Sequence, residues 1–274
     1  MDNRKKSNSK ATKILRTILL LSIFTGCDKN IDDEEVHLVE SINVSIGASW
    51  FNYWYEYDSQ NRFKKILYEE SYGYNQSVTY TYSGNNLDKV EKEGPFYIQD
   101  GNNNYSKLIL ITEFSKSGNQ INVKETDNFG QVYYYGIIYL NKDGFPNKYE
   151  ERGTDYSQVF TFQIQNGNLT KITHTFAGPT RNREYYFIYE YDNMKSPFYH
   201  CKTPKWYLFL CVAYDLDYYN FNHWFNRFEH GSRNNVILEE RYENNDVYKN
   251  EIEYEYTTTG FPRNSGKEFR LTYK

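Results

Sequence analysis

Tyr55-Glu56-Tyr57-Asp58-Ser59-Gln60-Asn61-Arg62-Phe63-Lys64-Lys65-Ile66 is the stretch that decides the fold. Aromatic residues two apart lie on one face of an extended chain. Asp, Ser, Gln and Asn then interrupt, as residues that tolerate a turn. Apolar residues resume at Phe63 and Ile66. Strand, turn, strand is the reading.

The phrase recurs. Tyr80-Thr81-Tyr82-Ser83-Gly84-Asn85-Asn86-Leu87 repeats it, as does Phe162-Gln163-Ile164-Gln165-Asn166-Gly167-Asn168-Leu169. Looser copies end strands at Phe114, Tyr139, Tyr191 and Tyr256, near Gly118, Gly144, Asn193 and Gly260. A period of roughly 25 residues suits one β-hairpin per copy, two strands with two turns. Turns are expected near Ser59–Asn61, Gly84–Asn85, Ser117–Gly118, Asp143–Gly144, Asn166–Gly167 and Thr259–Gly260. Leu87 and Val90 stand three apart, like Phe63 with Ile66 and Leu169 with Ile172. On a regular strand that spacing means opposite faces. Both faces would then bury something, so the sheet should roll onto itself. The expected fold is all-β: a single antiparallel meander of hairpin repeats, rolled into a curved sheet or open barrel.

Composition agrees. The 274 residues include 30 Tyr, 18 Phe and 4 Trp, against 2 Met and 6 Pro, and 19% are aromatic. Tyr, Phe, Thr and Val favour strands, whereas a helical bundle wants Leu, Ala and Met. Such aromatic content also excludes intrinsic disorder.

Residues 1–26 read as a secretory signal. Arg4, Lys5, Lys6, Lys10, Lys13 and Arg16 precede a short apolar run, Ile18 to Phe24, too short for the ~20 apolar residues of a membrane span. Phe24-Thr25-Gly26-Cys27 resembles a bacterial lipobox, which implies that Cys27 is acylated and becomes the N-terminus. Phe24 stands where such a motif usually has Leu. Residues 27–40 read as an acidic tether and 41–274 as the hairpin domain. Losing six basic and one acidic residue with the signal leaves 26 basic and 35 acidic, a net charge of −9. That balance argues against nucleic acid or anionic lipid as a partner. The expected address is the outer membrane, lipid-anchored and facing the cell surface.

Tyr57-Asp58 followed by Asn61-Arg62-Phe63 resembles the YD repeat of Rhs and teneurin-type shells. The whole chain resembles a Bacteroidota family of YD-like lipoproteins of unknown function, through its lipid cysteine, acidic tether and hairpin units. The resemblance implies one rolled antiparallel sheet and no known catalytic residues.

Residues 196–230 break the period and read as an irregular, aromatic-rich insertion. Two readings stay open: a plug packed into an open end of the roll, or a platform whose rings stack on sugars. The candidate binding residues are Trp206, Tyr218, Tyr219 and Trp224, with Asp215 and Asp217 as acceptors for sugar hydroxyls. Cys201 and Cys211 could be bridged or could be buried free thiols. His200, Cys201, Cys211 and His223 lack the paired spacing of a zinc site. Asp100, Asn102 and Asn104 alternate like a calcium loop, yet Tyr105 stands where such a loop needs Gly. No metal and no cofactor is expected. Acidic pairs that could serve a glycosidase are Asp215 with Asp217, Glu69 with Glu70, and Glu239 with Glu240. No nucleophile motif is present, so the expected function is a non-catalytic binding module for a glycan or a protein. A structural part of an envelope complex is the alternative, and a glycoside hydrolase a minor one.

Labelling with a palmitate analogue should mark the protein and be lost in Cys27→Ser. Labelling that survives the substitution means the signal was misread.

Overall fold

The computed structural model describes residues 35–217 and 231–274, except 72, 74, 100–104, 245 and 266–268. Residues His37–Lys274 form one unit. Its strands are β1 (Val39–Ile46), β2 (Ser49–Tyr57), β3 (Phe63–Glu70), β4 (Asn75–Ser83), β5 (Asn86–Gln99) and β6 (Tyr105–Ser117). Then come β7 (Gln120–Asp127), β8 (Val132–Leu140), β9 (Pro146–Gly153), β10 (Ser157–Gln165), β11 (Asn168–Ala177) and β12 (Asn182–Lys195). A helix, α1 (Lys205–Asp217), precedes β13 (Asn234–Glu243), β14 (Asp246–Glu251), β15 (Glu255–Tyr256), β16 (Pro262–Ser265) and β17 (Phe269–Tyr273).

Each strand from β1 to β14 pairs antiparallel with the next, as do β15 to β17. β17 returns to pair with β1, Ile42 opposite Leu271. No pairing joins β14 to β15 among the described residues, so the roll is not a closed barrel. The sheet starts at Val39, inside the stretch expected to be tether.

The expected turns are all present, and one device builds several of them. Asp58 Oδ1 accepts the N–H groups of Gln60 and Arg62, at 2.8 and 3.0 Å. Asn141 Oδ1 does the same for Asp143 and Phe145, and Asp127 Oδ1 for Phe129 and Gln131. The fourth residue of each turn has positive φ: Asn61 at 61°, Gly144 at 80° and Gly130 at 89°. Only Gly or Asn takes that conformation cheaply. The Tyr-Asp phrase is therefore a strand end plus a side chain that satisfies two turn amides. Burial opposes the charge of Asp58, but the Arg62 guanidinium and the turn amides outweigh it and hold its carboxyl below the usual range.

The roll was expected for the wrong reason. Phe63 and Ile66 do not face opposite sides, and neither do Leu87 and Val90, or Leu169 and Ile172; all six are buried. Tyr57 pairs with Phe63 while Glu56 pairs with Lys65, so one residue is extra. The register slips likewise between Thr81 and Tyr82, Tyr139 and Leu140, and Gln163 and Ile164. A β-bulge brings residues three apart back to one face and increases local twist. Repeated after successive turns, it curls the sheet with both apolar residues inside.

Inside the roll lies α1. Trp206 to Ala213 are buried, apart from half-buried Cys211. A helix apolar on all sides has to be enclosed. The insertion is thus partly helical, where irregular structure was expected. Outside, β7 presents Gln120, Asn122, Lys124 and Thr126, and β4 presents Ser77, Thr79 and Thr81. On these two strands the outer face is polar, unlike the lipid-facing band of a membrane-spanning barrel.

Close packing is severe at Gly136. A Cβ there would lie 2.6 Å from the ring of Tyr149, which is fully buried and cannot retreat. Gly136→Ala should cost about 1–3 kcal/mol, read by urea unfolding. Unchanged stability would show that the Tyr149 ring has room to move.

Candidate functional site

The end of the roll that carries α1 is called the helix end here; the β2–β3, β4–β5, β6–β7, β8–β9 and β10–β11 turns lie on it. The insertion is fixed to it at both of its ends. Entering, Lys202 donates its N–H to Asn61 O at 2.9 Å, and Thr203 Oγ1 accepts from Phe63 N at 2.8 Å. Pro204 then starts the helix, its carbonyl accepting from Tyr207 and Leu208, and Pro suits a first helical turn because it has no N–H to lose. Leaving, Arg233 donates to Gly167 O, and Ser232 Oγ accepts from Leu169 N. Tyr191 OH donates to Leu169 O at 2.6 Å.

This seating sets Trp206 edge-on against Phe114, ring centroids 5.2 Å apart. Tyr207 meets Phe114 and Tyr80 in the same manner, at 5.8 and 5.7 Å. Trp206 is only 8% exposed. It is packed as a plug residue, not held out as a platform. Its remaining edge belongs to a cleft of about 240 Å³. Buried Leu87, Phe114 and Ile121 join Trp206 as its floor, and Asn86, Asp88, Ser115 and Lys116 make its rim. An aromatic and aliphatic floor under polar groups of both signs can hold a molecule with one apolar face and several hydroxyls or amides.

Asp215 and Asp217 lie in the last turn of α1, where the backbone alone is described. Tyr218, Tyr219, Trp224 and His223 fall outside the described residues, as do Asp100, Asn102 and Asn104. Cys201 and Cys211 are free thiols. Cys201 is buried with Sγ 3.4 Å from Thr203 Oγ1. Cys211 rides on α1, whose ~1.5 Å rise per residue carries it several ångströms away from the loop. His200 Nδ1 accepts the His37 N–H at 3.0 Å. Glu69 with Glu70, and Glu239 with Glu240, are neighbours on strands, so each pair points to opposite sides of the wall.

One site had no motif. On the inner face toward the other end, Glu151 is 2% exposed. It accepts from Tyr149 OH at 2.6 Å, Tyr156 OH at 2.6 Å and Gln158 Nε2 at 2.7 Å. The oxygen of Gln158 then faces His174 Nε2 at 2.9 Å. With the Gln158 amide committed to Glu151, the neutral ring carries its proton on Nε2. His174 is wholly buried, parallel to Phe160 at 4.1 Å and edge-on to Tyr185 at 4.7 Å. Its Nδ1 has no hydrogen-bond partner among the described residues. Burial lowers its pKa to about 4. A similar contact joins Glu125 to Thr112 and Tyr134, at 3.0 and 3.2 Å. The available signal was Tyr and Glu two apart on a strand, as in Tyr149-Glu150-Glu151 and Tyr68-Glu69-Glu70; Tyr68 OH donates to Glu70 at 2.6 Å. Tyr156 also lines an open cleft of about 330 Å³ at the rim, with Arg152, Asp155, Ser157 and Asn182.

No family model matches the chain, and no curated protein matches it. Among solved structures it is similar to a porin-like protein from Bacteroides vulgatus ATCC 8482: 12% identity, TM-score 0.42, covering 87% of this chain and 99% of that one. A porin-like protein from Bacteroides uniformis ATCC 8492 is similar at 11% identity and TM-score 0.35, over 86% and 96% of the two chains. Neither name is carried to this chain. The likeness to YD repeats rests on the turn motif alone.

His174 sets a pH dependence. Its folded pKa lies below the ordinary value of 6.5, so the unfolded chain takes up a proton first as pH falls. The stability is present above about pH 6.5 and drains toward pH 4. Between pH 7 and pH 5 this group should cost about 2 kcal/mol. Urea unfolding at both values should show that slope, and His174→Leu should flatten it. An equal slope in the variant assigns the loss to other groups.

Proposed function

We propose that the protein is a non-catalytic lipoprotein of the cell envelope that binds a glycan in the cleft beside Trp206. The cleft carries the reading. A sugar has weakly apolar C–H faces and a rim of hydroxyls, and it needs an aromatic edge beneath and mixed donors and acceptors around. Trp206 and Phe114 supply the first, and Asn86, Asp88, Ser115 and Lys116 the second. The signal and Cys27 supply the address.

A second reading, an assembly component with no small-molecule site, draws on β14. Its residues are exposed except for half-buried Asn250, with Val247 at 47% and Tyr248 at 58%. It pairs on one side only among the described residues. Such an edge can accept a further strand.

Glycan-array binding by the mature protein should fall at least tenfold in Asp88→Ala and in Lys116→Ala, with the melting temperature unchanged. Trp206→Ala should reduce both, because that ring also fills the roll. Arrays without signal, or rim variants that bind as the parent does, would point to the assembly reading.

A further inference from the structure

The outer face of β2 carries two tryptophans. Trp50 and Trp54 are each 38% exposed, while Tyr53 and Tyr55 on the same strand turn inward and are buried. Neither tryptophan ring meets another ring, and neither indole N–H has a hydrogen-bond partner, among the described residues. Tryptophan is on average a well-buried residue, and a covered indole N–H finds a partner. Trp206 obeys the first of these rules, at 8% exposed and edge-on to Phe114. On β2 neither rule holds. Four residues of strand set the two rings about 13 Å apart along a straight line.

Between them a row of polar side chains crosses β2 at right angles. Asn52 pairs with Asn43 of β1 on one side and with Glu69 of β3 on the other. Asn43 pairs in turn with Arg270 of β17, and Glu69 with Asn75 of β4. Cross-strand partners share a face of the sheet, so all five look outward with the two rings. Asn43 Nδ2 donates to Asn52 Oδ1 at 2.8 Å. That bond fixes the Asn52 amide and leaves its own N–H groups unused among the described residues. Arg270 and Asn75 are exposed and Glu69 is half-buried.

The other exposed rings are arranged otherwise. Tyr133 is tied through its hydroxyl to Asp127. Tyr135 stands between Lys124 and Arg152. Phe129 lies in the β7–β8 turn, and Tyr248 on the edge strand β14.

We propose that this outer face of β1–β3 binds a linear β-1,4-linked glycan lying along β2, with a sugar stacked on each tryptophan. The pattern selects the occupant. An apolar partner would have to strip water from Asn43, Asn52, Glu69 and Arg270 between the rings without replacing their hydrogen bonds. A sugar chain lays C–H faces on the indoles and turns hydroxyls to the polar row, so both are satisfied together. Rings spaced along a straight strand suit an extended chain, whereas a coiled α-1,4 chain bends away from one of them. A disaccharide reaches one ring only. The ligand class is that of the cleft beside Trp206, but no residue is shared, and each site is tested by its own variants.

Isothermal titration of the mature protein with cellohexaose, chitohexaose and maltohexaose is the test. At least one of the two β-1,4 chains should bind, with maltohexaose and the matching disaccharide at least about tenfold weaker. Trp50→Ala and Trp54→Ala should each weaken binding about tenfold and leave the melting temperature unchanged, since both rings are exposed. Should either variant melt early, Asn52→Ala removes the central donor and should weaken binding about threefold. Tyr135→Ala and Asp88→Ala should bind as the parent does. No binding of either β-1,4 chain, equal binding of maltohexaose, or parental binding in the β2 variants overturns the proposal. Loss in Asp88→Ala with parental binding in the tryptophan variants places the sugar in the cleft and overturns this site alone.

Discussion

An apolar inner face that runs around a roll of strands cannot be left wet, and filling it is the constraint on which this structure depends. Phe63, Tyr80, Phe114, Phe160 and Phe187 all turn inward and are buried. Side chains from the wall reach only part of the way across the helix end. α1 fills the rest, with Leu208, Phe209, Leu210, Val212 and Ala213 almost free of solvent. Each large apolar side chain so buried contributes about 1.5–3 kcal/mol. The loops on either side of the helix are accordingly fastened by hydrogen bonds to turns of the wall, at Asn61 and Gly167. Trp206 is part of that filling first, and part of a cleft second.

The other end of the interior is managed differently. There the inward positions include Glu151, Gln158, His174, Glu125 and Thr112, all buried. Buried carboxylates are tolerable when several donors converge on them. Tyr149, Tyr156 and Gln158 meet that need for Glu151, and Tyr134 and Thr112 for Glu125. Abundant tyrosine serves both regimes, since its ring packs as an aromatic and its hydroxyl donates to an acid two residues away or on the next strand. The cost falls on His174, which folding holds neutral.

The hairpins were legible because each turn is a local matter. Asp58, Asn141 and Asp127 satisfy amides within four residues, and Asn61, Gly144 and Gly130 take the positive φ on the spot. Alternating Tyr53, Tyr55 and Tyr57 likewise marks the inner face without reference to any neighbour. The bulges were not legible, because an extra residue is defined only against the register of a partner strand. The helix was hidden for another reason. A helix buried on every side has no polar face, and so leaves no period between Trp206 and Ala213 to read. The meeting of Glu151, Gln158 and His174 depends on β9, β10 and β11 lying side by side at fixed register. Sequence by itself determined what each segment does with its own backbone. Tertiary structure decided which side chains meet, because in a rolled meander those distances are set by register and curl across strands.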